Sequence, residues 1–590
     1  MSGTKYDRQL RLWSHAGQRS LTEAHIVVLG ATAAAAEVLK NVVLPGIGFY
    51  TVVDDARVDE EAVGNNFFVS VEDYNARRPL SEALLQHLSL LNPQAHGMAC
   101  VESCVAWVEE FLLSGTQACA TAAGVAKQRP PPSLIVVTPR LPAVSLRRLS
   151  AWLKGQRGPP LVYVQAVGLI GLIHVQEGER LIIHAEPKPE SCVADLRIFN
   201  PFPELKAWFD SHDPEDDALF RDDIELHSHL PWIAILYHAL QRIRRDRGAP
   251  EFVPHSKADY DAVRMVVGAL IRRPTPPQEG FMEAMERCRV SLNRPSLLPG
   301  AVQKILRDPR TDAPWLAGTS FEGPGTLYWL VLHGIKRFMQ EHDAVPPFCG
   351  YVPDFTTTTQ WYGELCGIYE QKMKDDCAAV WGYAMEALAA CSNGGYAPVV
   401  NADEVAEVTR TLVQNLWTLQ LAHFGPGLDE VATDAPLRWQ RVRHYFAECS
   451  TEAERFTVEL YTALLAAHQF EEQVGRPPGR VPQQSAEPDA TWESDSRALL
   501  RIIERSWQGR CCGAGLTAKA CMEVARFGAG EPAATACIVG AAAAQECIKL
   551  VQHRRVPIQR PLIFDGYRCC FWLAPPPPPD EVEEGAPTSR

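Results

Sequence analysis

The sequence predicts an α/β, Rossmann-like fold interrupted by a large, mostly helical insertion. Three observations predict it: a strand–helix–strand unit opens the chain, long helical patterns follow residue 187, and mixed signals return after residue 496. Alternating short strands and helices are typical of a parallel sheet covered on both faces. We therefore expect residues 1–186 and 496–574 to form one domain, with a helical domain at 187–495 between them.

The opening unit has the order of a dinucleotide-binding motif. An apolar strand at 26–30 ends on glycine, a helix follows at Ala33–Val43, and a second strand, Phe49–Val53, ends at Asp54. Such a unit holds phosphates at the helix N-terminus and a ribose on the acid. Its turn, however, reads Gly30-Ala31-Thr32-Ala33-Ala34-Ala35. Side chains in place of the later glycines keep a pyrophosphate away, so this loop predicts a nucleotide fold that binds no nucleotide by itself.

The other elements of this first part follow the same alternation. They are helices at 81–91, 105–113 and 145–154 and strands at 134–137, 161–165 and 172–175. The glycine turn at 168–171 precedes the last of these strands, which we expect to pair with a strand at 181–184.

Helical periodicity dominates the middle of the chain, and the end returns to mixed structure. The main helical patterns lie at 231–243, 281–292, 326–341, 360–388 and 402–421. A flexible loop is expected at 475–487, rich in Pro, Gln and Ser. Helices at 496–506 and 533–551 and a strand at 562–565 then return to the first sheet, and 575–590 is expected to be a disordered Pro/acidic tail.

Composition excludes several classes of function. The apolar share of 46% and the charged share of 22% are ordinary for a soluble protein with large cores, and the net charge of −14 disfavours nucleic acid or an anionic membrane as partner. No leader pattern opens the chain, and the apolar run at 533–544 is shorter than the roughly 20 residues of a membrane span. The 17 cysteines contain no CxxC pair. We expect reduced thiols and a location in the cytoplasm or nucleus.

Two further features point to chemistry only weakly. Cys192 lies near the change from mixed to helical structure, but Glu190 and Asp195 nearby raise rather than lower a thiol pKa, so we do not expect a nucleophile. His227 and His229 have the spacing of metal ligands but no third ligand nearby, which favours a structural role. The sequence therefore predicts no metal site.

A series of short motifs occurs in a fixed order along most of the chain. They are residues 6–13 (YDRQLRLW), 39–48 (LKNVVLPGIG), 64–68 (GNNFF), 195–197 (DLR), 201–205 (PFPEL), 229–233 (HLPWI), 352–355 (VPDF), 526–532 (RFGAGEP) and 540–546 (GAAAAQE). Together they resemble the ubiquitin-like-protein-activating enzymes, with their ThiF-type adenylation fold. Within that group they resemble the catalytically inactive, regulatory subunits of neddylation-activating enzymes, up to about residue 573.

This resemblance implies a heterodimer whose chemistry resides in the other subunit. Active relatives use ATP and magnesium to adenylate the C-terminus of a ubiquitin-like modifier and then form a thioester on a cysteine. Here Asn66-Phe67 replaces an Arg-Gln pair, and Thr138-Pro139-Arg140 offers no aspartate where the family holds its metal. We expect no catalytic residue and no cofactor in this chain, with Phe67 and the loop alanines filling the phosphate site. Asp54 is expected to close the end of its strand.

The resemblance also implies specific partner contacts. The partners are the catalytic subunit with its ATP and magnesium, the modifier and, transiently, a conjugating enzyme. Arg8 is expected to reach the ATP of the partner subunit in trans. Asp354, Phe355, Tyr362 and Leu365 are expected to contact that subunit, with Asp354 capping the following helix. The alternative is that Tyr362, Leu365 and Tyr369, which recur at helical spacing, pack inside the helical domain.

Three other functions remain open from the sequence. The chain could serve another modifier, as in SUMO-type activating enzymes, whose regulatory chains are much shorter and lack the region around residues 352–355. A stand-alone adenylating enzyme is disfavoured by the altered loop. A scaffold without any enzyme function is distinguished only by its partners.

Overall fold

A computed structural model describes most of the chain and divides it into two compact units. The described residues are 5–114, 130–156, 158–183, 196–221, 223–273, 275–292, 298–312, 324–393, 401–424, 428, 436–480, 488–506 and 514–576. The first unit comprises Met1–Arg180 and Ala422–Arg590, and the second comprises Leu181–Leu421. Cys192 and most of the predicted tail lie outside the described residues.

The first unit begins with alternating helices and strands. They are α1 (Asp7–Glu23), β1 (His25–Leu29), α2 (Ala33–Val43), β2 (Phe49–Val53), α3 (Glu60–Asn65), α4 (Val71–Asn75), α5 (Leu80–Ser89), β3 (His96–Cys100), α6 (Cys104–Ser114), β4 (Leu134–Val137), α7 (Ala143–Gln156), β5 (Leu161–Val167), β6 (Ile170–Gln176) and β7 (Glu179–Ile182).

The second unit is helical. Its elements are α8 (Pro203–Asp210), α9 (Asp217–Phe220), α10 (Ile224–Ser228), α11 (Trp232–Arg247), α12 (Lys257–Ala269), α13 (Glu279–Ser291), α14 (Gly300–Arg307), α15 (Pro324–Glu341), α16 (Thr359–Asn393) and α17 (Ala402–Gln414), followed by β8 (Gln420–His423). Their apolar faces form two clusters, one around Trp232 and Tyr369 and the other around Leu330 and Leu412.

The chain then completes the first unit. The remaining elements are α18 (Pro436–Glu448), α19 (Glu452–Val474), α20 (Pro488–Ser506), α21 (Ala514–Arg526), α22 (Ala533–Gln552), β9 (Leu562–Asp565) and β10 (Cys570–Leu573). The predicted domain boundary at 495 is therefore wrong, because α18 and α19 belong to the first unit. Of the flexible loop expected at 475–487, residues 481–487 lie outside the described residues. Within 475–480, Asp495 accepts hydrogen bonds from the Arg476 guanidinium and the Gly479 N–H.

An eight-stranded sheet organises the first unit, in the order β10-β9-β6-β5-β4-β1-β2-β3. The strands from β5 to β3 in that order run parallel, whereas β6, β9 and β10 pair antiparallel. The return of β9 to this sheet confirms one expectation. The pairing expected for the strand at 172–175 is wrong, because β6 forms a hairpin with β5 around Gly168, whose φ is +57°. The strand β7 instead pairs with β8, and each of these strands contains a point, 180–181 or 421–422, at which the chain passes from one unit to the other.

Helices cover both faces of the sheet, as the alternating side chains of its strands require. Ile26 and Val28 of β1 point into a core shared with α2, α5 and α22, whereas Val27 and Leu29 point into a core shared with α6, α7 and α18–α21. By length and composition α22 is apolar enough to cross a membrane. Its packing against α2, β5 and β6 accounts for that composition as the core helix of an α/β unit.

Candidate functional site

The nucleotide-type loop lies between the carboxyl end of β1 and the N-terminus of α2. Gly30 has a φ of +97°, and a Cβ there would lie 2.0 Å from the Thr138 hydroxyl oxygen, so only glycine fits. Thr32 then caps α2 with its side chain. The sequence thus builds the turn of a phosphate-binding unit at the edge where ligands bind in open α/β sheets.

The chain itself occupies the donors of this loop. Four backbone N–H groups donate internally: Gly30 to the Val53 carbonyl at 3.0 Å, Ala31 to Asp54 Oδ2 at 2.8 Å, Ala34 to Glu531 Oε2 at 2.9 Å and Ala35 to Thr32 Oγ1 at 3.3 Å. In a working loop of this kind such N–H groups point at the ligand phosphates. Here their hydrogen bonds are already made.

Asp54 also makes hydrogen bonds within the fold. Its two carboxylate oxygens accept the N–H groups of Ala31 and Ala56, both at 2.8 Å, and the residue is only 3% exposed. The Arg140 Nε lies 4.0 Å from Asp54 Oδ2. The expectation that Asp54 closes the end of its strand is confirmed, because each of its two oxygens accepts a backbone N–H of the fold.

Glu531 is the residue that the sequence did not connect with this site. It lies on the segment between α21 and α22, and its carboxylate accepts the Ala34 N–H at the start of α2. Burial raises the pKa of Glu531 to about 7, against the opposing influence of the Ala34 N–H, the Arg140 charge and the Thr32 hydroxyl. The contact joins residues 497 positions apart, so no local pattern reveals it.

A cavity of about 280 Å³ opens in front of the loop. Basic groups in its wall are Arg140 and Arg480, and Glu61 and Glu531 are among its acids. Phe67 does not line the cavity and is 81% exposed, so the expectation that Phe67 fills a phosphate site is wrong. The backbone turns away after Asn66, whose side-chain oxygen accepts the Phe68 N–H.

The alanines of α2 have a packing reason. A Cβ on Gly540 of α22 would lie 2.7 Å from the Ala34 carbonyl oxygen and 2.6 Å from Glu37 Cβ. The two helices are therefore in close backbone contact, and Ala34, Ala35 and Ala36 are fully buried between them. Small side chains in this turn serve the helix pair, and excluding a phosphate is not needed to explain them.

Magnesium and ATP do not fit the residues present. The Ala34 N–H bonds a carboxylate, each Asp54 oxygen accepts a backbone N–H, and the buried Thr138 hydroxyl donates to the Leu29 carbonyl. Within the described ranges no group of three or more acidic, His or Cys side chains is arranged for a metal. His227 is held by the Pro214 carbonyl and the Gln278 amide, which accounts for it structurally.

Arg8 lies in the first turns of α1 with its side chain exposed. In the part of the chain that the structure describes, no ion pair is found for its guanidinium, whereas Arg11 pairs with Asp7 at 2.9 Å. An exposed guanidinium near the start of a helix is free to meet a phosphate on another molecule.

The segment around residue 355 differs from what the sequence predicted. The Thr358 hydroxyl accepts the Trp361 N–H and so caps α16, whereas the exposed Asp354 accepts the Tyr362 hydroxyl at 3.4 Å. The expected cap by Asp354 is therefore wrong. Leu365 is fully buried in the core of the second unit, as is Tyr369, so Leu365 is not on the expected partner surface.

Phe355 and Tyr362 remain partly accessible. The Phe355 ring makes edge contacts with Trp232 at 5.6 Å and with Tyr362 at 6.0 Å between ring centroids. Glu283 holds the segment by accepting the Thr356 N–H at 3.0 Å. No local pattern links Trp232 or Glu283 to this surface, because both come from helices more than 70 residues away.

The comparison with protein families agrees with this fold. The ThiF family is matched over residues 6–125. A NEDD8-activating enzyme E1 regulatory subunit of Xenopus laevis is 30% identical over 573 residues, covering 95% of this chain and 96% of that protein. The corresponding subunit AXR1 of Arabidopsis thaliana is 25% identical over 95% of this chain and 94% of its own length. A crystal structure of E. coli MccB with MccA covers 30% of this chain and 50% of its own, at 14% identity and a TM-score of 0.25.

A ThiF-type α/β unit with a closed nucleotide loop and a helical insertion defines a regulatory half of an activating enzyme. The full-length likeness makes the assignment specific. The chain belongs to the family of NEDD8-activating enzyme E1 regulatory subunits. A SUMO-activating enzyme subunit of Arabidopsis thaliana matches only 93 residues, 15% of this chain.

Proposed function

We propose that this chain is the regulatory half of a heterodimeric activating enzyme for the ubiquitin-like modifier NEDD8. Its catalytic partner binds ATP and magnesium, adenylates the modifier C-terminus and carries it as a thioester before transfer to a conjugating enzyme. The observation that carries the proposal is the ThiF-type loop whose N–H groups are bound by Asp54, Glu531 and Thr32. Such a chain contributes contacts to the partner subunit and the modifier, and the catalytic subunit carries out adenylation and thioester formation.

The first test is partner-dependent activity. The full chain is co-expressed with the catalytic subunit of a NEDD8-activating enzyme, and ATP–pyrophosphate exchange is measured with NEDD8. We expect exchange by the pair and none by this chain alone. Exchange that requires a SUMO-type partner and modifier instead would replace the proposed modifier, and failure to assemble with any such subunit would leave only a scaffold.

Arg8 is proposed to act in trans on the ATP phosphates in the partner. A guanidinium that neutralises developing phosphate charge is worth a thousandfold or more in some phosphoryl-transfer enzymes, and we expect about tenfold to a hundredfold because the partner keeps its own positive groups. The Arg8→Ala variant is compared with Arg11→Ala, an exposed arginine on the same helix that already pairs with Asp7. Slower exchange in the first variant alone, with heterodimer assembly unchanged, supports the proposal.

Equal rates for Arg8→Ala, Arg11→Ala and the wild-type pair would make Arg8 a surface residue without a catalytic contribution. The Arg8→Lys variant adds a geometric criterion, because a lysine keeps the charge but loses the planar fork of donors. An intermediate exchange rate for Arg8→Lys is the expected result for a direct phosphate contact.

Absence of ATP binding by the isolated chain is a separate part of the proposal. Calorimetry of the full chain with millimolar Mg-ATP tests it. No saturable heat is expected, because the ligand would have to displace the internal hydrogen bonds of the loop. Binding in the micromolar range would contradict the proposed division of labour between the subunits.

A further inference from the structure

We infer that Glu531 is the internal anion that keeps phosphate out of the nucleotide-type loop. The inference deepens the proposed absence of ATP binding by naming the side chain responsible. It differs from the sequence-based expectation, in which alanines and Phe67 close the site.

The position of the carboxylate carries the inference. Glu531 Oε2 lies 2.9 Å from the Ala34 nitrogen, in the first turn of α2, where a bound phosphate receives backbone hydrogen bonds in loops of this type. The partial positive charge of the helix N-terminus stabilises an anion at that point, whichever molecule supplies it. Glu531 therefore satisfies the same donor that a ligand phosphate needs.

Backbone contacts of the turn at 527–532 hold Glu531 next to the start of α2, independently of its carboxylate. The Gly168 N–H donates to the Gly530 carbonyl at 2.9 Å, and the Phe527 ring lies against Gly168, where a Cβ would come within 2.0 Å of it. Ala529 has a φ of +65°, and Pro532 immediately precedes α22. This turn is fixed by contacts independent of the carboxylate, so substitutions of Glu531 leave the segment in place.

Basic and acidic groups both remain in the cavity wall once the Glu531 carboxylate is gone, and the acids are Asp59, Glu61 and Glu471. Arg140 and Arg480 lie in the wall of the same cavity, and the Arg480 guanidinium is 3.3 Å from Glu61 Oε2 at its rim. Removing Glu531 leaves the Ala34 N–H without its carboxylate acceptor, beside a space of about 280 Å³ whose wall also holds Arg140. The chemical class that fits this space is an inorganic phosphate or pyrophosphate.

The experiment measures inorganic pyrophosphate binding to the full chain by calorimetry and by its effect on the melting temperature, against sodium chloride of equal ionic strength. We compare wild type with Glu531→Ala and Glu531→Gln. At pH 8.5, where a carboxyl with a pKa of about 7 is mostly ionised, the alanine variant is expected to gain saturable binding at least about tenfold tighter than wild type, since one negative charge within a few ångströms is removed. The glutamine variant keeps an acceptor for Ala34 without the charge, and a smaller gain is expected.

Glu61→Ala is the matched control. This variant removes a negative charge from the same cavity but leaves the Ala34 N–H bonded to Glu531. Its affinity for pyrophosphate is expected to stay within about threefold of wild type. The Glu531→Ala/Arg140→Ala double variant is expected to lose the gained binding. An equal gain in Glu61→Ala, or no gain in folded Glu531→Ala and Glu531→Gln, would overturn the inference and leave Glu531 as a helix cap.

The outcomes separate this inference from the proposed function. Saturable pyrophosphate binding by the wild-type chain would overturn the inference and the proposed absence of nucleotide binding together. A pair that shows no exchange with NEDD8, while Glu531→Ala gains pyrophosphate binding, would overturn the proposed function and leave the inference standing.

Discussion

The nucleotide-type loop of the first unit and the segment around Phe355 of the second unit treat their polar groups in opposite ways. In the loop, the four N–H groups of Gly30, Ala31, Ala34 and Ala35 are satisfied by the chain, and the acceptor for Ala34 is a partly buried acid 497 residues away. Around Phe355, the Trp232 indole N–H and the Thr357 hydroxyl are buried without a hydrogen-bond partner, and Asp354 is exposed.

This difference separates a loop whose backbone donors have partners from a segment in which two buried polar groups have none. A buried polar group without a partner costs about 1–3 kcal/mol, so a fold normally satisfies it. The loop follows that rule at the four donors named above. The segment around Phe355 departs from it at Trp232 and Thr357, whereas Asp354 there is exposed.

The close packing of α2 and α22 predicts the largest effect on stability. We expect Gly540→Ala to lower the free energy of unfolding by about 3 kcal/mol, because its Cβ would lie 2.7 Å from the Ala34 carbonyl oxygen and the backbone must shift. The control is Gly363→Ala in α16, where a Cβ meets nothing within 4 Å and a gain of about 0.5–1 kcal/mol is expected. Calorimetric melting temperatures test the expected decrease for Gly540→Ala and the expected increase for Gly363→Ala. The same change in melting temperature for both variants would show that α2 and α22 can move apart to accept the extra methyl group.

The structure around the nucleotide-type loop was predicted from the sequence more completely than the structure of the segment around Phe355. The bounds of α2, β2, β4 and β9 follow from apolar periodicity and from turn glycines, which are local signals. The placement of Glu531 is a long-range contact and has no such signal. Helical periodicity also does not tell which core a helix joins, and for this reason the boundary was predicted at 495 although the units divide at 421.

The same limit explains the errors in the second unit. Tyr362, Leu365 and Tyr369 recur at helical spacing, but only the packed structure separates the accessible ring from the two buried side chains. Asp354 and Thr358 are both good capping residues. The choice between them depends on where the chain enters α16, which the preceding proline at 353 does not determine.

Truncating the aromatic surface is expected to have the next largest effect. The Phe355→Ala/Tyr362→Ala variant should weaken assembly with the catalytic partner by about 2 kcal/mol, roughly thirtyfold, as partly buried aromatic anchors do. Tyr362→Phe is the control, because it keeps the ring and removes only the 3.4 Å hydrogen bond to Asp354. Affinity is measured by calorimetric titration. Normal affinity in a stably folded double variant would place the interface elsewhere, and early melting without the partner would make both rings core residues.

A buried acid of the first unit, Glu459, can be compared with the partly buried Glu531. Glu459 on α19 is 2% exposed, one of its oxygens has no hydrogen-bond partner, and burial raises its pKa to about 8, opposed only by the Thr517 hydroxyl. The folded state then holds a proton that the unfolded chain, with a pKa near 4.5, releases. The stability of wild type therefore falls as pH rises from about 4.5 to 8 and levels off above.

We expect Glu459→Gln to remove part of that pH dependence. The variant should be more stable than wild type by about 1–2 kcal/mol at pH 9 and no more stable at pH 4.5, because an amide carries no charge at either pH. Glu531→Gln is the comparison: the pKa of Glu531 is also raised, but Ala34 and Thr32 stabilise its charge, so a smaller gain is expected. Melting temperatures from pH 4.5 to 9 measure both, and a constant difference between Glu459→Gln and wild type would contradict the buried, protonated state.

The smallest effect concerns the start of α16, where two neighbouring side chains have different tasks. Thr358→Ala should lower stability by about 1 kcal/mol, because the Trp361 N–H loses the acceptor that caps the helix. Asp354→Ala should leave the melting temperature unchanged, since this exposed carboxylate contacts only the Tyr362 hydroxyl among the hydrogen bonds of this turn. The opposite order is expected for the affinity for the catalytic partner, measured by titration. Asp354→Ala weakens assembly, and folded Thr358→Ala does not. A loss of stability in Asp354→Ala would return that residue to the helix cap and remove the argument that the fold leaves it available to a partner.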